Sequence, residues 1–282
     1  MFFLSYIFYF FAASASPLQR RWLATNKNLD NKGQINFAFQ VTFVTVVLSL
    51  LLPFFKPFYL QGNILNLIGL GLVCGIFGAG YFISSYTAQK HVEAGISTLV
   101  SNIYTPITIV LATLFLNEKL TTLQIFGTIL LLVGIIVVSK KHQIGVFKFD
   151  KYFMLMLLSG VMLGVSLTAE RTLMKVTGFS AGTMISWWAQ CAFLGVVTFV
   201  TKNKSEYSKK DIIITGGFRF LQSLSWVILL FVVGNLSVVS AITTFKVVII
   251  FIAAAIFLKE CDDLPRKIIG SIVALAGLLL MK

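Results

Sequence analysis

The chain contains one segment twice, and that duplication limits its architecture more than any other feature. Residues Ala112–Gly134 read A-T-L-F-L-N-E-K-L-T-T-L-Q-I-F-G-T-I-L-L-L-V-G, and from Ala254 the sequence reads A-A-I-F-L-K-E-C-D-D-L-P-R-K-I-I-G-S-I-V-A-L-A-G. Ala112, Phe115, Leu116 and Glu118 recur 142 positions later as Ala254, Phe257, Leu258 and Glu260. One residue is then inserted. Ile125, Gly127, Ile129, Leu132 and Gly134 recur at offset 143 as Ile268, Gly270, Ile272, Leu275 and Gly277. The offset is about half of the 282 residues, which predicts a chain built from a duplicated unit. Each copy joins two apolar stretches through a short polar turn carrying one Glu.

Apolar stretches of this kind fill the chain. It is 57% hydrophobic and 12% charged, with a mean hydropathy of +0.91, whereas soluble domains carry about 25% charged residues. The composition predicts an all-α integral membrane protein. Runs near 2–24, 35–52, 64–89, 94–116 and 120–140 supply five spans to the first half. Runs near 152–174, 180–201, 212–233, 237–258 and 264–281 supply five to the second. The opening run has a small-residue site at Ala13-Ser14-Ala15. It lacks a leading basic residue and ends on Arg20-Arg21, so it reads as a span rather than a cleaved signal. Ten transmembrane helices as two repeats, 1–145 and 146–282, follow. Because each repeat has an odd number of helices, the two sit inverted in the membrane. Inverted repeats are an architecture of secondary transporters, with the substrate site near the midplane.

The net charge of +13 does not point to nucleic acid, because Lys and Arg sit mainly in connectors, where lipid headgroups and topology explain them. Connectors after the odd-numbered spans hold sixteen Lys or Arg; those after the even-numbered spans, with the C-terminus, hold five. The positive-inside rule therefore places the odd connectors in the cytoplasm and both termini outside. Cys74, Cys191 and Cys261 are scattered and form no metal-ligand or redox motif.

The L-F-L-N-E-K-L segment after a Pro-containing helix, with its glycines, and its second copy I-F-L-K-E resemble the EamA domain of the drug/metabolite transporter superfamily. The resemblance covers the whole chain as two EamA-like halves. It implies that helices 1–4 and 6–9 surround a central cavity, that helices 5 and 10 lie outside it, and that both termini are cytoplasmic, opposite to the charge rule. Two positions depart from the repeat: Val248 stands opposite Pro106, and Lys246 opposite Tyr104.

Charge inside a span is costly and usually faces a cavity, which makes Lys246 the first candidate site residue. It lies roughly 13 Å from the nearer end of its span at about 1.5 Å per residue. Ser240, Thr243 and Thr244 extend a polar face beside it. Arg219, Gln222, Ser223 and Trp226 fall at i, i+3, i+4 and i+7, a face of donors and one aromatic that suits a polar or anionic ligand, or a hydrogen-bonded helix seam. Span four carries Ser97, Ser101, Thr105 and Thr108, flanked by Asn102 and Tyr104. Of Trp187 and Trp188, at most one points inward. Glu170-Arg171 reads as an interfacial anchor, with a local ion pair or a gate contact as the alternatives, and Glu93, Glu118 and Glu260 fall at turns, where they favour helix N-termini.

These features predict a secondary transporter for a small anionic or zwitterionic metabolite in the plasma membrane, with a small-molecule substrate and the lipid bilayer as partners. A flippase for an anionic lipid-linked headgroup is the alternative. A membrane enzyme would need convergent carboxylates or a metal set. Asp262-Asp263 lies in a turn, and His91 and His142 lie in connectors. No catalytic residue, metal, cofactor or nucleic acid is expected; a coupling proton or ion and a homodimer remain open.

Overall fold

In the computed structural model, the described residues are 2–26, 31–116, 121–139, 150–202, 207–236, 239, 243, 246–260 and 263–280. Glu118, His142, Ser240, Thr244, Cys261 and Asp262 lie outside them. The described residues form helices and no strand. They are α1 (Phe2–Asn26), α2 (Asn31–Ser49), the short α3 (Leu52–Phe55), α4 (Ile64–Gln89), α5 (Ala94–Ser101), α6 (Tyr104–Leu116), α7 (Thr122–Ser139), α8 (Lys151–Thr177), α9 (Phe179–Val200), α10 (Lys209–Val233), α11 (Lys246–Phe257) and α12 (Leu264–Leu280).

Among the described residues, six segments are long and apolar enough to cross a membrane: 31–55, 64–89, 94–115, 151–177, 179–200 and 209–233. The apolar helices over 122–138 and 246–257 are shorter. The outer surface is itself apolar; Phe115, Phe199 and Ile272 are 72%, 85% and 60% exposed. Such a surface belongs against lipid, where the helices keep their backbone hydrogen bonds to themselves. The protein is a multi-pass membrane protein.

The fourth apolar run is broken where the sequence placed one kinked span. Pro106 has no N–H, and its ring crowds the carbonyl four residues back, on Asn102. Helix α5 accordingly ends at Ser101, and Asn102 and Ile103 close tight turns onto the Leu99 and Val100 carbonyls at 3.1 and 3.2 Å. Helix α6 then restarts at Tyr104. Its repeat counterpart, Lys246, lies in α11.

Helix neighbours recur in a regular pattern. α4 lies along α8 while α1 lies along α10; α4 packs on α9 while α10 packs on α2; α6 touches α8 while α11 touches α1. α2 meets α9, α5 meets α11, and α7 meets α12. Small residues permit these approaches, since in lipid helices associate through close packing rather than hydrophobic burial. On α4, a Cβ at Gly80 would lie 2.5 Å from the Met162 sulfur, and Gly78 and Gly75 lie against Gln190 and Phe193. Between α4 and α8, Cys74 Sγ approaches the Ser166 carbonyl at 3.7 Å, and Ser166 Oγ donates to the Cys74 carbonyl at 3.5 Å.

The duplicated glycines meet one another. A Cβ on Gly134 would stand 2.5 Å from the Gly270 carbonyl oxygen and 2.6 Å from Ala274, while Gly277 lies against the Gly127 carbonyl. These pairings run antiparallel along α7 and α12. Gly134→Leu is expected to force the two helices apart and to destabilise the protein by about 1–3 kcal/mol, the usual range for overpacking. Gly217→Ala, which would meet nothing within 4 Å, is expected to leave stability within about 1 kcal/mol. Thermal unfolding of the three purified proteins checks the ordering, and equal melting temperatures for Gly134→Leu and wild type contradict it.

Candidate functional site: a basic, aromatic-lined cavity

A cavity lies between eight helices. α1 contributes Tyr9, Ala13, Pro17 and Arg20; α4 contributes Gly78, Tyr81 and Ser85. α5 and α6 add Ser97, Thr98, Ser101 and Tyr104, and α8 adds Met156, Leu163, Ser166, Leu167 and Glu170. Trp187 and Gln190 come from α9, Arg219, Gln222, Ser223, Trp226 and Val227 from α10, and Lys246 from α11. None of the lining residues belongs to α2, α7 or α12.

Six of the eight sequence-derived site residues therefore share one cavity: Lys246, Arg219, Gln222, Ser223, Trp226 and Tyr104. Thr243 stands behind it, with Oγ1 at 3.5 Å from the Tyr104 hydroxyl and donating to the Val239 carbonyl at 2.7 Å. Asn102 is 0% exposed at the α5–α6 break, lines no part of the cavity, and neither of its amide atoms has a partner. Trp187 faces inward, whereas Trp188 points outward and donates Nε1–H to Ser49 Oγ at 3.1 Å.

The three cavity cations rest on aromatic rings. The Arg20 guanidinium lies 4.6 Å from the Tyr86 ring centre, and that of Arg219 lies 4.9 Å from Phe82 and 6.0 Å from Tyr81. Lys246 Nζ lies 5.7 and 5.8 Å from the rings of Tyr9 and Tyr104 and donates to the Tyr9 hydroxyl at 3.1 Å. Repeat-equivalent positions thus meet at Tyr104 and Lys246. Aromatic faces stabilise a cation by about 0.5–2 kcal/mol, well short of a carboxylate partner. None of the three forms an ion pair among the described residues, and the buried Nε atoms of Arg20 and Arg219 and Oε1 of Gln222 have no hydrogen-bond partner.

Glu170 is not the interfacial anchor that the sequence predicts. It is 3% exposed, lines the cavity and accepts a hydrogen bond from Ser186 Oγ at 2.9 Å. Arg171 turns away from it and donates Nη2–H to the Gly234 carbonyl at the end of α10. Adjacent residues on a helix point about 100° apart, so the two charges go to different places. The same geometry separates Arg20 from Arg21. Arg20 shares one helix face with Tyr9, Ala13 and Pro17, all of which line the cavity.

Arg21 instead closes one end of the bundle. Its Nε donates to Glu260 Oε1 at 2.9 Å, and its Nη1 donates to the Gln89 carbonyl at 2.9 Å and the Lys90 carbonyl at 2.5 Å. Glu260 Oε2 accepts the Ala94 N–H at 2.9 Å, which satisfies an open donor at the start of α5. Gln89 Nε2 donates to the Pro17 carbonyl, and Lys267 Nζ meets Glu93 Oε2 at 2.5 Å. The turn glutamates thus serve a neighbouring helix (Glu260) and an ion pair (Glu93). Arg171 on Gly234 does for α10 what Arg21 does for α4.

The EamA-like transporter family model matches residues 21–140. No curated protein sequence matches the chain at a significant level. A chain from a solved crystal structure shares its fold, with a TM-score of 0.60 over 95% of this chain and 95% of its own, at 11% identity. Residues 21–140 are thus similar to a domain of the drug/metabolite transporter superfamily, the group that the EamA-like transporter family belongs to.

Burial pushes the Glu260 carboxyl above the usual carboxylate range, against the Arg21 hydrogen bond and the Ala94 N–H, which lower it. Ionising Glu260 therefore costs more folded than unfolded; its stabilising contribution is full below the unfolded value, about 4.3, and is lost as pH rises through the folded value. Arg21→Ala removes a lowering influence and raises the folded value further. The variant is expected to lose about 2–4 kcal/mol near neutral pH, with a smaller deficit near pH 4.5, where Glu260 is largely neutral. Melting curves at the two pH values check this; a pH-independent deficit contradicts it.

Proposed function

We propose that this EamA-type chain is a secondary active transporter that moves a small anionic or zwitterionic metabolite across the plasma membrane by alternating access. The observation that carries the substrate class is the cavity's charge: Arg20, Arg219 and Lys246 face one space with no acidic partner of their own. A charge buried without a partner is costly, and an anionic solute supplies the missing partner. Tyr81, Tyr104, Trp187 and Trp226 would cover the flat or apolar part of the same molecule.

Two five-helix halves, 1–145 and 146–282, inverted about the cavity, are the moving parts in this reading. The helix neighbours support it: exchanging each expected span for the one five later converts α4–α8 into α10–α1 and α4–α9 into α10–α2, and maps α7–α12 onto itself. Arg21 and Arg171, holding the ends of α4 and α10, would be the corresponding ties on opposite faces of the membrane. A coupling proton or ion would provide the driving force, and a homodimer is compatible with the apolar outer surface.

The flippase reading has one observation in its favour. An apolar groove on the outer surface between α2 and α9, lined by Phe39, Phe43, Val46, Val47, Leu50, Trp188 and Cys191, could seat an acyl chain. It shares no lining residue with the cavity.

A ligand-stabilisation screen on wild type and Lys246→Ala tests the proposal, because binding raises the melting temperature by mass action. Anionic or zwitterionic metabolites are expected to stabilise wild type and to bind Lys246→Ala about 10- to 100-fold more weakly, the loss of one charge-assisted contact. Hits confined to cations and unaffected by the substitution would sink the reading. Stabilisation by anionic lipids alone would favour the flippase.

A further inference from the structure

Resting on the transporter reading, we propose that Glu170 is the cation-recognising group of the cavity, and that the solute is a zwitterion. Its cationic nitrogen sits on Glu170, while its anionic group is taken by Arg219 with Arg20 and Lys246.

Three observations meet here. Glu170 is the one carboxylate among the described lining residues, and it is almost wholly buried. Its position is held by neutral donors: Ser186 Oγ donates to it at 2.9 Å, and Gln190 Nε2 donates to Ser186 Oγ at 2.9 Å and to Ser166 Oγ at 3.4 Å. Ser166 and Gln190 also line the cavity. Finally, Glu170 forms no ion pair among the described residues, although three cations border the same space. Opposite charges in one cavity of low polarity would gain much by pairing. Here they are held apart, anion on the α8–α9 side and cations on α1, α10 and α11.

The sequence supplies a counterpart to this pair of positions in the first half of the chain. At offset 150, Ser16, Arg21 and Leu23 of α1 recur as Ser166, Arg171 and Leu173 of α8. Arg21 and Arg171 do equivalent work, each donating to carbonyls at the C-terminal end of a long helix, α4 and α10 respectively. The alignment places Glu170 opposite Arg20, and both side chains line the cavity. One backbone position, used twice, carries a base in the first half and an acid in the second. The cavity is pseudo-symmetric in its helices and opposite in sign at this pair.

A purely anionic solute would meet repulsion from Glu170, and a purely cationic one would meet three basic side chains. A molecule carrying both groups offers each side of the cavity a charge of the opposite sign. The two serines and Gln190 fix the carboxylate, so the distance between the two poles is built into the site rather than adjusted on binding.

The test uses full-length protein in nanodiscs and matched trios on three skeletons. The zwitterions are glycine, leucine and phenylalanine; each is compared with its N-acetyl derivative, an anion, and its amide, a cation. Dissociation constants are measured for wild type, Glu170→Gln, Glu170→Asp and Lys246→Ala. On at least one skeleton, wild type is expected to bind the zwitterion about tenfold or more tighter than the N-acetyl anion, the worth of one charge-assisted contact. Glu170→Gln keeps the shape and an acceptor for Ser186 and should erase that preference while anion binding stays or tightens. Glu170→Asp keeps the charge and should retain part of the preference, which separates loss of charge from loss of folding.

Anion binding by wild type that equals zwitterion binding, or a preference that survives Glu170→Gln, overturns this proposal and leaves the transporter reading in place. Anion binding that also survives Lys246→Ala removes the reading beneath it. Binding of no compound in any trio removes both.

Discussion

A cation inside an apolar bundle persists only where something other than lipid solvates it, and the cavity depends on that condition. Arg20, Arg219 and Lys246 are solvated by ring faces and by the Tyr9 hydroxyl rather than by carboxylates. This solvation is strong enough to keep the charges in place and weak enough to be improved by an incoming anion. Pairing them permanently with acids would give a more stable bundle and a cavity with nothing to recognise. The aromatic residues that stand in for acids, Tyr9, Tyr81, Phe82, Tyr86 and Tyr104, belong to the scaffold as much as to the site.

The scaffold holds these rings by two devices that carry little charge into the membrane. Glycines bring helix backbones together, on α4 against α8 and α9 and reciprocally between α7 and α12. Charged side chains then tie helix ends, where open carbonyls and N–H groups need partners. Arg21 takes the end of α4, Glu260 the start of α5, and Arg171 the end of α10. The helix ends are thus tied by charged side chains, and the polar space lies between the helices.

The amphipathic face Arg219, Gln222, Ser223, Trp226 and the lone Lys246 were legible in the sequence because polar groups within an apolar run stand out against it. Tyr104 was legible through the repeat, as the aromatic opposite Lys246. Arg20 and Glu170 were not, because each sits in an adjacent charged pair near the end of an apolar run. Such a pair reads as a headgroup anchor, and a helix divides it: Arg20 and Glu170 face the cavity, Arg21 and Arg171 the helix ends. Asn102 was assigned to the site by its neighbours and lies instead at the break that Pro106 imposes two residues before Tyr104. Tyr9, Tyr81 and Gln190 carried no distinguishing signal, since an aromatic or an amide in a spanning run is as often a packing residue.

Accessibility of the cavity from both faces of the membrane tests the account most directly. Ser223 lines the cavity, and Ser223→Cys in a chain with Cys74, Cys191 and Cys261 replaced by Ala gives one reporter thiol. In sealed, oriented vesicles, a membrane-impermeant thiol reagent is expected to label it when applied to either side, at rates that a bound solute changes. Labelling from one side only, whatever the solute and gradient, would mean a cavity that binds without transporting and would contradict the account.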